Sequence, residues 1–415
     1  MKSTAIALAT VFALVGPSAT LGSDDPEATT AFGPVSEGEL EAMQAATMTY
    51  WTEERMLGAI PREAFEIVTD KDAAAQALYE GPVPTGAPAL HPGWDGKGPM
   101  PGPNDWIELT GEEAQAIGAL PASIGVAPTN PKIGPYGPFQ RFAMHGTYKT
   151  WPRSIHGKFF FTLGGGDFVC SATVVGKSII ITAGHCVSDG AGMLLTNALF
   201  CPGYTNGVQN PFMGCYAGWQ AGIVPNKWHL EKDPDYDYAC IVMPNTGTVV
   251  PNKVGIATNG WAGWAVNFID VPLMTFGYPQ AAPFNGLSVQ QTASVQWYQV
   301  DFVSGGQVSN VIGSDLTGGA SGGGWFLSWH APGNEMPDTD GSWATDPANA
   351  GLAGPYITGV NSHKRCRTNC TTPPTDTAGV YWQEMTSPPF LDGAATDDFK
   401  SILDSTNCAN HPANL

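Results

Sequence analysis

The hydrophobic pattern of the chain changes near residue 155. From there onward, apolar residues occur in short runs that glycine and proline separate. Such runs predict β-strands, and many short strands divided by turns are typical of β-barrels and β-sandwiches. The strands are predicted at residues 158–163, 168–174, 178–182, 238–243, 274–277, 295–300, 324–328, 357–360 and 380–381.

The region before these strands has a different pattern. Residues 36–57 and 61–79 are rich in Glu, Ala, Met and Leu and predict two helices. The first helix begins at Ser36 with acidic residues close behind, which is a helix-start signal. Residues 81–138 are rich in Pro, Gly and Asn, apart from a short helical patch near 111–117. This composition predicts linkers or extended wrappings.

The first residues have the pattern of a secretory signal peptide. Lys2 precedes an apolar run at residues 5–15, and small residues follow as far as Ser23. The run is too short to span a bilayer, so a cleaved leader is favoured over a membrane anchor. We therefore expect a secreted protein, cleaved within residues 18–23, that has no membrane partner.

Composition supports this picture of a globular, β-rich protein. Apolar residues make up 43% of the chain and charged residues only 13%, while 51 glycines and 35 prolines favour loops over a helical bundle. The net charge of −19 argues against a nucleic-acid partner. Phe399, Ile402 and Leu403 fall on one helical face and predict a short closing helix at residues 397–403. We expect a monomer.

Eight cysteines in a secreted chain predict disulfides. Cys170 lies in one predicted strand and Cys186 follows the next, so their spacing suggests a bond between neighbouring strands. The other pairings depend on the assumption that nearby cysteines close local loops. They are then Cys201 with Cys215, Cys366 with Cys370 and, as the remaining pair, Cys240 with Cys408.

Three side chains have the chemistry of acyl transfer. His185 follows one predicted strand, Asp237 directly precedes another, and Ser321 lies within a run of glycines. A serine hydroxyl is a poor nucleophile at its ordinary pKa, so it needs a nearby base, and that base needs a carboxylate to orient it. The sequence therefore predicts Ser321 as nucleophile, His185 as base and Asp237 as orienting acid.

Each of these signals has a structural alternative. A glycine-rich loop with a serine is usually only a loop, and a histidine beside a cysteine is more often structural than catalytic. Asp233, Asp235 and Asp237 compete for the orienting role. Asp237 is favoured because it alone begins an apolar strand, and Asp235 is the alternative. The glycines also free the backbone N–H groups of Gly319 and Ser321 to form an oxyanion hole.

The order His, Asp, Ser is that of the chymotrypsin-type arrangement. Residues 155–186, which end in TAGHC, resemble the histidine region of trypsin-like serine peptidases. Residues 315–323 (DLTGGASGG) resemble the serine region of their secreted microbial branch, which includes glutamyl endopeptidases, and residues 50–56 (YWTEERM) look like a segment found ahead of the peptidase domain. The resemblance implies an all-β fold of two antiparallel six-stranded β-barrels. The cleft between them would hold His185 and Asp237 from the first barrel and Ser321 from the second.

The same resemblance gives conflicting signals about substrate preference. Asp315 stands where trypsins carry the pocket acid, but it also fits a structural position of the microbial signature. Asn361 occupies the position at which glutamyl endopeptidases use a histidine, and His363 is displaced from it by two residues. Ser362 matches the strand that pairs with the substrate backbone. Ala320 replaces the acid through which animal enzymes are activated, so that activation mechanism is not expected.

The predicted organisation is a signal peptide at 1–22, a propeptide-like region and linker at 23–140, a first barrel at 141–253, and a second barrel with the closing helix at 254–415. A permanent N-terminal module is the alternative for the second unit. The favoured hypothesis is a secreted serine endopeptidase acting on polypeptides through an acyl-enzyme. A non-catalytic binding module and an esterase with the same triad are the alternatives. Since the other histidines lack ligand spacing, neither cofactor nor metal is expected.

Overall fold

In the computed structural model, the described residues are 29–33, 36–62, 67–68, 86–96, 99–110, 139–142, 151–205, 213–245, 253–268, 271–282, 284–300, 302, 307–327, 355–366, 384–392 and 398–414. The predicted signal peptide, the helical patch at 111–117 and the strand at 380–381 lie outside them.

Most of the regular structure is β. The strands are β1 (Thr29–Phe32), β2 (Ile60–Pro61), β3 (Ile67–Val68), β4 (Ala89–His91), β5 (Ile107–Glu108), β6 (Phe139–Phe142), β7 (His156–Leu163), β8 (Gly166–Val174), β9 (Ile179–Thr182), β10 (Thr196–Pro202), β11 (Tyr216–Ala217), β12 (Ala221–Pro225), β13 (Ala239–Val242), β14 (Gly263–Val266), β15 (Pro272–Gly277), β16 (Gln290–Val300), β17 (Ser309–Gly313), β18 (Gly324–Leu327), β19 (Tyr356–Val360), β20 (Lys364–Cys366) and β21 (Glu384–Ser387). The α-helices are α1 (Glu37–Tyr50), α2 (Glu53–Gly58), α3 (Asn226–Glu231), α4 (Val254–Ala257) and α5 (Phe399–Leu403).

The strands form two sheets. One has nine described strands, in the order β1-β12-β13-β9-β8-β7-β10-β11 with β2 beside β8. The other has twelve, in the order β3-β20-β21-β17-β16-β15-β18-β19-β14-β4-β5 with β6 beside β16. Pairing is antiparallel except where β2 meets β8, β3 meets β20 and β14 meets β19. The predicted all-β class is confirmed, and two sheets are present where two antiparallel β-barrels were predicted.

The predicted count of six strands per barrel is not confirmed, because the region before residue 143 contributes strands to both sheets. Strands β1 and β2 extend the first sheet, while β3, β4, β5 and β6 extend the second. This region was expected to hold helices and linkers. Its apolar residues are instead part of the core, as the burial of Phe32, Trp51 and Leu90 shows. Without these strands the two sheets would have seven and eight strands, so the addition accounts for most of the difference from six.

The core of the first sheet is dense because its central strands are covered on both faces. Every residue of β7 is buried, and so are all four residues of β9 and of β13. Continuous apolar runs such as Ile179–Thr182 and Ala239–Val242 are what two-sided burial requires. A separate apolar cluster, which includes Leu316, Trp325 and Met385, lies in the second sheet.

The first predicted helix forms, but it is broken near its end. Ser36 accepts a hydrogen bond from Glu39 N and so begins α1, as predicted. Thr52 caps a second helix, because its side chain accepts a hydrogen bond from Arg55 N. The indole Nε1 of Trp51 donates to Asn197 O at 2.5 Å, which fixes the break between the helices. The prediction of one continuous helix over 36–57 was therefore wrong at its C-terminal end.

The second predicted helix does not begin where expected. Its first residue, Pro61, lies in β2, which pairs with β8, and residues 67–68 form β3. The remainder of the predicted helix at 61–79 is almost entirely outside the described residues. The physical reason for the error is non-local, since a free edge of β8 offers these residues backbone partners that helix propensity cannot reveal.

The predicted closing helix forms as α5. Asp398 caps it, with its side chain accepting a hydrogen bond from Ser401 N. Three disulfides have the pairings that spacing predicted: Cys170–Cys186, Cys201–Cys215 and Cys240–Cys408. The predicted fourth pair, Cys366 with Cys370, falls on side chains outside the described ones. None of the helices in the described ranges is long and apolar enough to cross a membrane.

Candidate active site

The sheet topology places His185 beside Asp237. His185 lies on the 3-10 turn that follows β9, and Asp237 lies two residues before β13. The two strands are antiparallel neighbours with Thr182 opposite Ala239, so the loop after β9 and the loop before β13 lie at the same end of the strands. The backbone N–H of His185 donates to Asp237 Oδ1 at 2.6 Å, and Nδ1 is 2.8 Å from Oδ2. Both side chains are fully buried.

A second histidine belongs to this buried cluster. Ser362 Oγ donates to Asp237 Oδ2 at 2.5 Å, and the Nδ1 atom of His363 lies 2.5 Å from Ser362 Oγ. The same Nδ1 is 3.6 Å from Asp237 Oδ2. Burial lowers the pKa of His363 to about 4, so its ring is neutral at neutral pH.

The carboxyl of Asp237 is held in its charged form. Burial alone would raise its pKa, but the charge of His185 and the hydrogen bonds from His185 and Ser362 outweigh burial, so the pKa is lowered. A carboxylate can only accept hydrogen bonds, so Nδ1 of His185 must carry the proton that faces it. In the uncharged form of the His185 ring, Nε2 is therefore the unprotonated nitrogen. That atom has no hydrogen-bond partner among the described residues.

The loop that carries Ser321 is shaped by two glycines with positive φ. Gly319 has a φ of +95°, and a Cβ there would lie 2.7 Å from Tyr278 O. Gly322 has a φ of +79°, and its Cβ would overlap Thr182 Oγ1. Only glycine fits such positions without strain. Because Gly322 touches Thr182, this loop of the second sheet lies against the end of the strand that leads to His185.

Backbone contacts hold the loop in place. The N–H of Ser171, on β8, donates to Ser321 O at 2.7 Å, and Ser171 Oγ donates to Gly319 O at 2.8 Å. Within the described ranges, neither the N–H of Gly319 nor that of Ser321 donates to a backbone carbonyl. Both N–H groups are therefore free of the backbone ladder, as an oxyanion hole requires.

The side chain of Ser321 is directed to the N-terminal region. Its Oγ donates to the carbonyl oxygen of Arg62 at 3.3 Å, and the residue is 7% exposed. No hydrogen bond joins Ser321 to His185 in this part of the chain, since His185 Nε2 lacks a partner. The structure thus brings His185 and Asp237 into direct contact, and it places the Ser321 hydroxyl on a different acceptor.

Asn361, predicted at the substrate-binding strand, is buried and supports the serine loop. Its Nδ2 donates to Phe276 O at 2.8 Å and to Ala320 O at 3.1 Å, while its Oδ1 accepts from Trp325 Nε1 at 2.8 Å. Its backbone carbonyl also accepts from Gly322 N at 2.7 Å. The amide is therefore used within the protein to fix the loop that carries Ser321.

The carboxylate of Asp315 forms an ion pair within the protein. Its Oδ2 lies 2.5 Å from Arg141 Nη2, on β6, and burial raises the pKa of the Asp315 carboxyl despite that neighbouring charge. Asp235, the alternative orienting acid, accepts from Ser309 Oγ at 2.6 Å and from Phe302 N at 3.0 Å. These contacts place Asp235 in a different hydrogen-bond set from that of His185.

Two residues of the site were missed from the sequence. His363 was set aside because it is two positions from the expected histidine, although its place next to Ser362 was the available signal. Nothing near Arg62 in the sequence marks it as part of a site. Cys170, His185 and Cys186 also lie within metal-ligand distance of one another. The two sulfur atoms are joined in a disulfide, so this group offers no thiolate to a metal.

No family model and no curated protein matches the chain. One similar solved structure is the protease Anisep from Arthrobacter nicotinovorans, with 28% identity over 62% of this chain and 95% of that chain and a TM-score of 0.43. A second is a thermostable serine protease AL20 from an extremophilic microorganism, with 26% identity over 61% of this chain and 98% of that chain and a TM-score of 0.44. A third is a Glu endopeptidase in complex with MPD, with 16% identity over 61% of this chain and 91% of that chain and a TM-score of 0.37. With TM-scores below 0.5, the case for a function rests on this chain's own residues.

Proposed function

We propose that the protein is a secreted serine endopeptidase that hydrolyses peptide bonds through Ser321, His185 and Asp237. One observation carries the proposal: Asp237 accepts both the backbone N–H and the Nδ1–H of His185 inside a buried cluster. This fixes the ring of His185 and leaves its Nε2 as a base, at the end of the strands where the serine loop also lies.

In the first half of the reaction, Ser321 Oγ bonds to the carbonyl carbon of the substrate, and its proton passes to Nε2 of His185. The imidazolium that results is stabilised by the charge of Asp237. Collapse of the tetrahedral intermediate breaks the C–N bond, and Nε2 gives the proton to the departing amine. An ester between Ser321 and the acyl part of the substrate remains.

In the second half, His185 Nε2 takes a proton from water, whose oxygen bonds to the ester carbonyl. Breaking the ester bond releases the acid and returns the proton to Ser321. The negative oxygen of both tetrahedral intermediates is assigned to the N–H groups of Gly319 and Ser321. Removing one such donor typically costs about 3–4 kcal/mol of transition-state stabilisation.

The secreted location is supported by the disulfides. Three S–S bonds within one chain are typical of proteins that fold in an oxidising compartment. The predicted signal peptide at residues 1–22 is consistent with that location. Extended polypeptides are the proposed substrates, and Ser362 and Asn361 belong to the segment next to which they would bind.

Covalent labelling tests the proposal. The secreted, processed protein should react with a fluorophosphonate probe at Ser321, and Ser321→Ala should abolish the reaction while leaving the thermal unfolding curve in place. Peptide products from a denatured protein mixture, identified by mass spectrometry, should appear with the parent enzyme alone. Labelling with ester turnover but no peptide products would indicate an esterase. A folded protein that never labels would indicate a binding module.

A further inference from the structure

Residues 59–62, which we call the docked segment, lie along the edge of β8 next to the nucleophile. Ile60 is opposite Phe168 in a parallel pairing, and the N–H of Arg62 donates to Val169 O at 2.9 Å. The carbonyl of Arg62 then accepts the hydrogen bond from Ser321 Oγ. A backbone segment from far upstream thus reaches the proposed nucleophile in an extended conformation.

A further contact joins the docked segment to the other side of the serine loop. Gln280 Nε2 donates to Ala59 O at 2.6 Å, and Gln280 N donates to Gly318 O at 2.7 Å. Gln280 is itself fixed, because its Oε1 accepts from the buried Lys158 Nζ at 2.8 Å. The backbone of the segment is therefore held both by β8 and by the loop that carries Ser321. Such main-chain pairing is how proteins commonly bind an extended peptide.

The side chain of Arg62 is also accommodated. Its guanidinium carbon lies 5.0 Å from the centre of the Phe168 ring, within cation–π distance. Burial lowers the pKa of Arg62, and the charges of Asp189 and Asp237 act in the opposite direction. The cation therefore lies in the field of the carboxylate that orients His185.

The preceding helices anchor the docked segment to the first sheet. Arg55 Nη1 pairs with Asp167 Oδ2 at 2.9 Å, and Tyr50 OH donates to the other oxygen of that carboxylate at 2.5 Å. Met56 is buried in the main core, 6% exposed. Asp167 belongs to β8, so the anchor and the docked segment use the same strand.

We propose that the docked segment is an internal peptide ligand that keeps the enzyme inactive until the segment is displaced. This inference rests on the proposed function. Two effects act together. The segment fills the space beside Ser321 that a substrate backbone needs, and the Arg62 carbonyl accepts a hydrogen bond from the hydroxyl whose proton His185 must receive. A tethered ligand acts at an effective concentration of about millimolar, so weak contacts suffice to exclude most substrates.

The geometry at Arg62 is not that of a peptide bond under attack. Attack requires the lone pair of Ser321 Oγ to face a carbonyl carbon while its proton faces His185. In this structure the hydroxyl proton faces the carbonyl oxygen of Arg62 instead. The contact is that of an inhibitor rather than of a substrate.

Anchor variants of the intact chain test the proposal. With uncleaved protein, verified by intact mass, we would measure the rate of fluorophosphonate labelling for the parent, Arg55→Ala, Met56→Ala and Lys400→Ala. Arg55→Ala loses a half-exposed ion pair and should label about two- to fivefold faster. Met56→Ala loses a buried side chain and should label at least about tenfold faster. Lys400→Ala loses a 2.7 Å ion pair between Lys400, in α5, and Asp404, the residue that follows α5. Its labelling rate should match that of the parent.

Equal labelling rates for all four proteins would overturn the inhibitory role while leaving the proposed function intact. Failure of all four to label, together with failure of the processed protein, would overturn the proposed function instead. Thermal unfolding of each variant shows whether faster labelling comes from general loss of the fold, which would also contradict the proposal.

A measurement that needs no activity tests occupancy directly. In the Ser321→Ala chain, hydrogen exchange read by mass spectrometry should show the Arg62 amide protected at least about tenfold relative to an open chain, because it donates to Val169. Adding Met56→Ala should remove most of that protection, and adding Lys400→Ala should not. An Arg62 amide that exchanges at the open-chain rate in Ser321→Ala would show that the segment does not bind.

Discussion

Replacing Asp237 with asparagine changes the buried cluster around His185 by one charge and almost no volume. The carboxylate accepts three hydrogen bonds, from His185 N at 2.6 Å, His185 Nδ1 at 2.8 Å and Ser362 Oγ at 2.5 Å. A carboxamide has one oxygen and one NH₂ group, so its orientation decides which contacts survive. If the NH₂ group faced the backbone N–H of His185, a buried donor would be left unpaired at a cost of about 1–3 kcal/mol.

The other orientation keeps every hydrogen bond around the amide and removes the proposed base. With the NH₂ group in the place of Oδ2, Nδ1 of His185 must accept, so the ring proton moves to Nε2. Ser362 can then accept from the amide and donate to the Nδ1 atom of His363. The fold should therefore survive, while Nε2 can no longer take the proton of Ser321. In serine peptidases this tautomer change lowers kcat by about 10⁴, and we expect a loss of about 10³–10⁴ in kcat/KM for processed Asp237→Asn.

Asp235→Asn is the matched control. Asp235 is equally buried and only two residues away, but it accepts from Ser309 and Phe302 rather than from His185. We expect its kcat/KM to stay within about tenfold of the parent, even where urea unfolding shows reduced stability. A loss smaller than tenfold in well-folded Asp237→Asn, or a larger loss in Asp235→Asn, would refute the assignment of the orienting acid.

Two further variants test the loop and the acid response. Gly322→Ala adds a Cβ at a φ of +79° that overlaps Thr182 Oγ1. It should lower the free energy of unfolding, measured in urea, by about 2–4 kcal/mol, and it should slow the labelling of Ser321. If the unfolding free energy and the labelling rate both stay unchanged, the close approach of the two loops is contradicted. Burial lowers the pKa of His156 to about 3, so the unfolded chain binds a proton that the folded chain does not once the pH falls below about 6.5. As the pH falls from 6.5 to 4.5, the free energy of unfolding should therefore drop by roughly 2–3 kcal/mol because of this residue. His156→Phe should reduce that drop. If parent and variant show the same pH dependence of stability, the lowered pKa of His156 is refuted.

The sequence predicts well what local patterns control. The apolar runs before His185 and after Asp237 became neighbouring strands, because continuous apolar runs favour two-sided burial wherever they lie. The choice of Asp237 over Asp235 rested on its position at a strand start. The two acids do lie in separate hydrogen-bond sets, with Asp237 alone on His185. Their catalytic roles remain predictions for the variants above.

What the sequence could not predict depends on partners distant along the chain. The pairing of β1 with β12 places Thr29 opposite Pro225, and β2 lies along β8 in the same way. Short extended segments of this kind carry no periodic signal of their own, so the N-terminal region was predicted as helices and linkers. The contact between Arg62 and Ser321 is equally non-local. His363 was missed because its distance from Asp237 depends on side-chain direction, not on spacing.

The contacts of residues 399–413 constrain how the protein can be made. The ring of Phe399 packs edge-on against Tyr238 with centroids 5.4 Å apart, Cys408 is bonded to Cys240, and Ser178 Oγ donates to Ala413 O at 2.9 Å. Residues 399–413 thus complete the packing of the first sheet, which holds the proposed base. That packing must await the synthesis of these residues, so a nascent chain that still lacks them cannot present a finished base.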